Sequence, residues 1–158
     1  MKKNLFIAQS AVIAALYVAL TLVSNAFGLA NGAIQFRISE ALTVLPAFTP
    51  AAVPGLVIGC FISNLMTDGV LANILGGTFA TFLGAVGTRL MKKHTWLASF
   101  SPVLANTIIV PFIIMYAYGA PGTYGYFAFT VFAGEVVCAG IVGTVFAYAL
   151  KKRPELFN

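Results

Sequence analysis

Apolar windows of about 20 residues or more recur along nearly the whole chain, each closed by a short polar or basic stretch, and this rhythm predicts a polytopic helical membrane protein. The first window predicts a helix from about Leu5 to Gly28. It is too long for a secretory apolar core and lacks a small-residue cleavage site, so it reads as a retained span. An external loop from Leu29 to Arg37 follows, with Asn31-Gly32 as its turn signal. From Ile38 to Met66 the chain stays apolar but is broken by Pro46, Pro50 and Pro54. This predicts a short second helix to about Phe48, then a third opened by Thr49 as N-cap with Pro50 in its first turn. A fourth helix is expected from about Leu71 to Leu90, a fifth from about Leu97 to Tyr118, and a sixth from about Phe127 to Leu150. The expected fold is an all-α membrane protein, a six-transmembrane-helix bundle forming a single integral domain over residues 1–158, with short, Pro-broken second and third helices.

Charge orients this bundle. Lys2 and Lys3, then Arg89, Lys92 and Lys93, then Lys151, Lys152 and Arg153 fall at window edges, as the positive-inside rule expects of cytoplasmic ends, so both termini are expected in the cytoplasm. One straight span through 38–66 would put Arg89 to Lys93 outside, which is why that stretch is split. A re-entrant hairpin satisfies the rule equally well, and charge counting does not separate six spans from four plus a hairpin. Only Arg37 has a position that topology leaves unexplained.

Composition removes most other classes. With 60% hydrophobic and 8% charged residues, and a mean hydropathy of +0.96, the chain has too little polar surface for a water-soluble domain. The net charge of +5 lies at membrane edges and does not make a nucleic-acid surface. Cys60 and Cys138 lie in apolar windows without CxxC or His spacing and read as free packing thiols. His94 reads as a solvated loop residue. The chain has no GxxxxGK[ST], HExxH or GxSxG motif and no His/Cys cluster for a metal, so ATP hydrolysis by this chain alone is excluded and no enzyme, metal site or cofactor is expected.

Small residues recur every fourth position in three rows: Ala11, Ala15 and Ala19; Gly55, Gly59 and Ser63; Gly76, Ala80, Gly84 and Thr88. Such rows let helices approach closely. For the alanine row, packing within the chain and docking of a partner are both open.

The polar residues placed among the apolar windows are the candidate chemistry. Arg37 and Glu40 stand three apart, the spacing at which helical side chains meet, with Gln35 just ahead. Asn64 and Asp68 close the third helix, Asn73 opens the fourth, and Asn106 lies near the middle of the fifth. Glu135 falls about nine residues into the sixth helix, about 13 Å below the outer surface. An ionised carboxylate at such depth costs about 2.5 to 3.5 kcal/mol on insertion scales and needs a partner or a polar cavity. Tyr116, Tyr118, Tyr124 and Tyr126 form either an interfacial aromatic belt or rings that stack on a planar ligand, with Tyr116 the candidate among them. Most of this set lies in the outer half. Carboxylates and amides there suit a planar, nitrogen-rich, donor-heavy ligand, and sugars also fit. The competing reading is interhelical hydrogen bonding that only holds the bundle together.

The run Gln35-Phe36-Arg37-Ile38-Ser39-Glu40-Ala41-Leu42-Thr43, continued by Pro54-Gly55, Gly59-Cys60, Ser63-Asn64-Leu65 and Gly77-Thr78-Phe79-Ala80-Thr81, resembles the QueT family over nearly the whole chain. These are membrane-embedded substrate-binding subunits, S components, of energy-coupling-factor (ECF) transporters, associated with uptake of queuosine precursors, which are 7-deazaguanines. The resemblance implies six helices with cytoplasmic ends in a bacterial plasma membrane, a cavity near the extracellular side, and a lid made by the loop after helix one. It implies that Ala11, Ala15 and Ala19 dock a transmembrane coupling subunit joined to two ATPases, which would supply the missing energy. The family has an aspartate where this chain has Asn73, a departure that bears on which precursor is preferred. Under this resemblance Glu40 and Glu135, in either order, take the ring's donor edge bidentately and the cationic aminomethyl group. Arg37 meets the ring carbonyl or holds Glu40, and Gln35, Asn64, Asp68 and Asn106 complete the shell. Two alternatives stand: an S component for another vitamin or purine-like solute, and a non-transporting membrane scaffold.

Overall fold

A computed structural model describes residues 3–30 and 35–153. Asn31-Gly32, the expected turn, and Lys2 lie outside the described residues. Helix α1 (Lys3–Ala26) is followed by a 3-10 helix (Ile38–Ala47), α2 (Ala52–Thr67), α3 (Leu71–Leu90), a single turn α4 (Thr95–Ala98) and α5 (Phe100–Tyr116). The last rod is continuous and has three parts: α6 (Tyr124–Glu135), a π-helical segment (Val136–Val142) and α7 (Gly143–Lys151). The described residues contain no strand.

Among the described residues six rods result, and side-chain contacts fix their directions. A Cβ on Gly55 would meet Ser10 and Ile13, and one on Gly59 would meet Ala14 and Tyr17, so α2 runs parallel to α1 at close approach. Asn64 bonds the Asn73 carbonyl near one end while Thr81 bonds the Cys60 sulfur farther down, so α3 returns antiparallel to α2. Gly84 lies against Pro102 and Gly76 against Ile113, which sets α5 antiparallel to α3. Asn106 meets Glu135 and Thr144 meets Ser99, which turns the last rod back again. The 3-10 helix descends along α1: its first turn bonds Ser24 and Thr21, and the turn after it bonds Ser10 and Gln9. Two of the small-residue rows therefore act inside the chain, joining α2 to α1 and α3 to α5. Close backbone approach is their physical use.

Length separates two kinds of rod. Four stretches, Lys3–Ala26, Leu71–Leu90, Trp96–Tyr116 and Tyr124–Lys151, are long and apolar enough to cross a membrane, while Ile38–Ala47 and Ala52–Thr67 are shorter apolar helices. The 3-10 helix rises about 20 Å at 2.0 Å per residue, and α2 about 24 Å at 1.5 Å per residue. Together they form a hairpin reaching the last turn of α3, where Arg89 donates to the Pro46 carbonyl at 3.1 Å. The outermost helical residues, Lys3 and Lys151, lie at that same end of the bundle with Arg89, and Arg37 lies at the other.

Several boundaries differ from the sequence-based expectation. The third helix opens at Ala52, not at Thr49. Thr49 instead donates to Gln9 Oε1 at 2.8 Å and accepts the Ala51 amide at 3.4 Å, so it ties the hairpin turn to α1. Pro54 falls in the first turn of α2, where its missing N–H leaves no bond unmade. The last rod starts at Tyr124 rather than Phe127, with Thr123 as its capping acceptor. Glu135 therefore lies about 17 Å down that rod, deeper than its expected 13 Å. The core packs Ile13, Tyr17, Leu42, Leu45, Leu56, Cys60, Ala85 and Leu150 together, joining α1, the 3-10 helix, α2, α3 and the last rod.

Candidate functional site

The end of the bundle opposite the basic residues carries a polar cavity. Gln35, Arg37, Glu40, Asn73, Asn106 and Glu135 line it, with Gly77, Thr81 and Val110. Its free space is about 10 Å³, room for about one water. The structure thus brings six of the nine sequence-nominated ligand residues into one place.

Each is held by its own element. Arg37 sits just before the 3-10 helix in extended backbone and is 8% exposed. Its Nε donates to the Ala30 carbonyl at 2.7 Å and one terminal nitrogen donates to Asn64 Oδ1 at 3.0 Å. Two directions of its planar fork are fixed in this way. Glu40, in the first turn of the 3-10 helix, is 2% exposed and accepts from the Tyr17 hydroxyl at 2.5 Å on Oε1. Glu135 accepts from Asn106 Nδ2 at 2.8 Å on Oε1. In both acids the second oxygen, Oε2, is buried without a hydrogen-bond partner. Unsatisfied acceptors of this kind cost free energy in a fold, about 1 to 3 kcal/mol each and more when charged.

Two nominated residues stand behind the cavity. Asn64 is fully buried and bridges Arg37 to the Asn73 carbonyl and the Cys60 sulfur. Asp68 accepts from Asn73 Nδ2 at 2.8 Å and from the Tyr118 hydroxyl at 2.5 Å, linking α2, α3 and the turn after α5. Burial, then the bond to Asp68, raises the Tyr118 phenol well above its ordinary value, so it stays a donor. Tyr116 is a correction: it is 80% exposed, its ring stacks on Phe112, and it contributes nothing to the cavity. The helix ends at Tyr116, so Tyr118 lies in the following turn and is the one that faces inward. With Tyr124 also against Phe112, the outer rings form a surface cluster of the aromatic-belt kind.

Tyr17, Val110 and Gly134 escaped the sequence reading, and Gly77 and Thr81 entered it only as part of the family run, without a site role. A Cβ on Gly134 would strike the Gln35 carbonyl, so the chain leading into the 3-10 helix lies directly on the last rod, one residue before Glu135. The π-helical segment begins one residue after it. Such segments widen a helix locally and recur at functional sites. Among the described residues no group of His, Cys, Asp and Glu could hold a metal ion. Ala11, Ala15 and Ala19 are all exposed, on the side of α1 away from buried Ser10, Ala14 and Tyr17.

Residues 7–152 match the family model described as QueT transporter. The chain belongs to the QueT transporter family. That family consists of transporters, not enzymes, and the apolar helices agree with a multi-pass membrane protein. A curated QueT protein from Lactococcus lactis subsp. cremoris (strain MG1363), named queuosine precursor transporter, is 33% identical over 91 residues, which is 58% of this chain and 54% of the relative. The match thus spans about half the length of that relative. No solved structure matches the chain.

Proposed function

We propose that this QueT-family chain is the substrate-binding membrane subunit, the S component, of an ECF-type importer. It binds a queuosine precursor, a 7-deazaguanine such as 7-aminomethyl-7-deazaguanine or queuine, arriving from outside a bacterial plasma membrane. The observation that carries this reading is the pair Glu40 and Glu135. They belong to different rods, line one cavity, and each keeps a buried oxygen without a partner. A deazaguanine has donors on its pyrimidine edge and, in the aminomethyl form, a cationic substituent, which suits two acceptors in a low-dielectric pocket. Arg37 and the amides of Asn73, Asn106 and Gln35 supply the remaining polar groups. The name carried by the Lactococcus relative supports the same substrate class.

The present cavity is far smaller than the roughly 300 Å³ of an ordinary small-molecule pocket. Ligand uptake therefore needs the rods to part, and the contact of Gln35 on Gly134 is the boundary we expect to give way. Basic residues clustered at the other end agree with a cytoplasmic location for both termini. Energy comes from other chains: a transmembrane coupling subunit docks on the exposed Ala11, Ala15 and Ala19 face of α1 and connects to two ATPases.

The test is direct. Protein purified from cells grown with the precursor is expected to carry a deazaguanine identifiable by mass spectrometry. Added 7-aminomethyl-7-deazaguanine is expected to raise its melting temperature, and Glu135→Gln is expected to abolish that rise. A different co-purified heterocycle would replace the substrate while keeping the S-component assignment. No small-molecule ligand at all would favour a scaffold.

A further inference from the structure

Tyr17 heads the fully buried side chains of the described residues by size, and packing alone explains its ring, which sits among Leu42, Leu56 and Cys60. Packing does not explain its hydroxyl. A phenylalanine would fill the same space, yet the hydroxyl reaches the Oε1 of Glu40. Asn106 does the same to the Oε1 of Glu135. The two acids share one pattern: one oxygen pinned by a neighbour, the other buried without a partner in a residue that lines the cavity.

This pattern decides how a ligand can be gripped. A carboxylate with both oxygens free turns about its last bond and meets a two-donor edge bidentately. One pinned through Oε1 cannot turn freely, so the direction in which its unpartnered Oε2 meets a donor is set in advance. The geometry points to Tyr17 as a positioning residue that fixes the direction in which Glu40 presents its unpartnered Oε2. The ligand is then read by two separated donors, one to Glu40 from the 3-10 helix and one to Glu135 from the last rod. This rests on the deazaguanine reading and deepens it: the direction of the Glu40 contact is set before the ligand arrives. The ligand class is a planar heterocycle with hydrogen-bond donors at both ends.

The experiment uses the full-length protein in detergent and Tyr17→Phe, which keeps the ring and its packing. Infrared spectroscopy first assigns the carboxyl bands of Glu40 and Glu135 by their loss in Glu40→Gln and Glu135→Gln. Tyr17→Phe is expected to shift the Glu40 band and to leave the Glu135 band in place. A general disturbance of the bundle would move both. Calorimetry with 7-aminomethyl-7-deazaguanine is expected to show about tenfold weaker binding in Tyr17→Phe, the scale of one lost bond to a charged group, together with a lower melting temperature of the free protein because Glu40 Oε1 loses its donor. An unmoved Glu40 band overturns the inference, as does unaltered affinity in a variant whose parent binds the probe. If the parent protein binds no deazaguanine while the band still shifts, the substrate reading fails and the hold of Tyr17 on Glu40 stands.

Discussion

Gly134 shows how much one absent side chain decides near the cavity. Because the Gln35 carbonyl occupies the space a Cβ would need, even Gly134→Ala must push the chain before the 3-10 helix off the last rod. Overpacking of this kind costs about 1 to 3 kcal/mol. A lower melting temperature is therefore expected, together with weaker ligand binding, since Gln35 and Arg37 move with that stretch. A Gly134→Ala variant with the parent's melting curve would mean that Gln35 does not rest there. At this scale the chain was partly legible before any coordinates. Arg37, Glu40, Asn106 and Glu135 are conspicuous because charged and amide groups are costly among apolar windows. Tyr17 and Thr81 were not, since a tyrosine or threonine inside a helix reads as packing until its hydroxyl is located. Tyr116 and Tyr118 were indistinguishable by type, and only the end of α5 between them decides which turns inward.

Helix α1 presents two faces with different consequences. Its buried face holds Ser10, Ala14 and Tyr17 against α2, where Gly55 and Gly59 allow contact; its other face exposes Ala11, Ala15 and Ala19. Gly59→Leu is expected to separate the two helices and lower the melting temperature strongly, which thermal denaturation would record. Ala15→Leu, on the outer face, is expected to leave melting and ligand binding unchanged yet block uptake by cells, measured with labelled precursor. Equal loss of binding and uptake in Ala15→Leu would remove the docking role. Sequence periodicity identified the rods but not their kinds. Ten residues with a proline near the end do not reveal 3-10 winding, because its period of 3.0 and the α-helical 3.6 diverge too little over so short a run. The π segment was equally hidden: nothing in Val136–Val142 differs in type from its flanks.

In the bundle of the described residues, six rods alternate in direction along the chain, with α1 and α2 parallel and in direct contact. Even parity brings Lys3 and Lys151 to the end that holds Arg89, with the polar cavity at the other. Single cysteines placed on a cysteine-free background test the orientation: Lys92→Cys is expected to react only with reagents admitted to the cytoplasm, and Gly122→Cys only with impermeant reagents outside. Reversed labelling would invert the bundle in the membrane. Charge at the window edges made this parity legible in advance, but it did not distinguish a crossing hairpin from a re-entrant one. The structure places the turn after Pro46 beside Arg89, in the last turn of α3.

The natural protein also holds two thiols, Cys60 and Cys138, both free and both buried. Cys60 sits behind Asn64 and Thr81 at the back of the cavity. A maleimide dye that fluoresces on coupling should therefore stay dark on the native protein and light up on heating. The unaltered chain thus carries its own reporter of unfolding, and a compound that tightens the surrounding bonds should delay the signal.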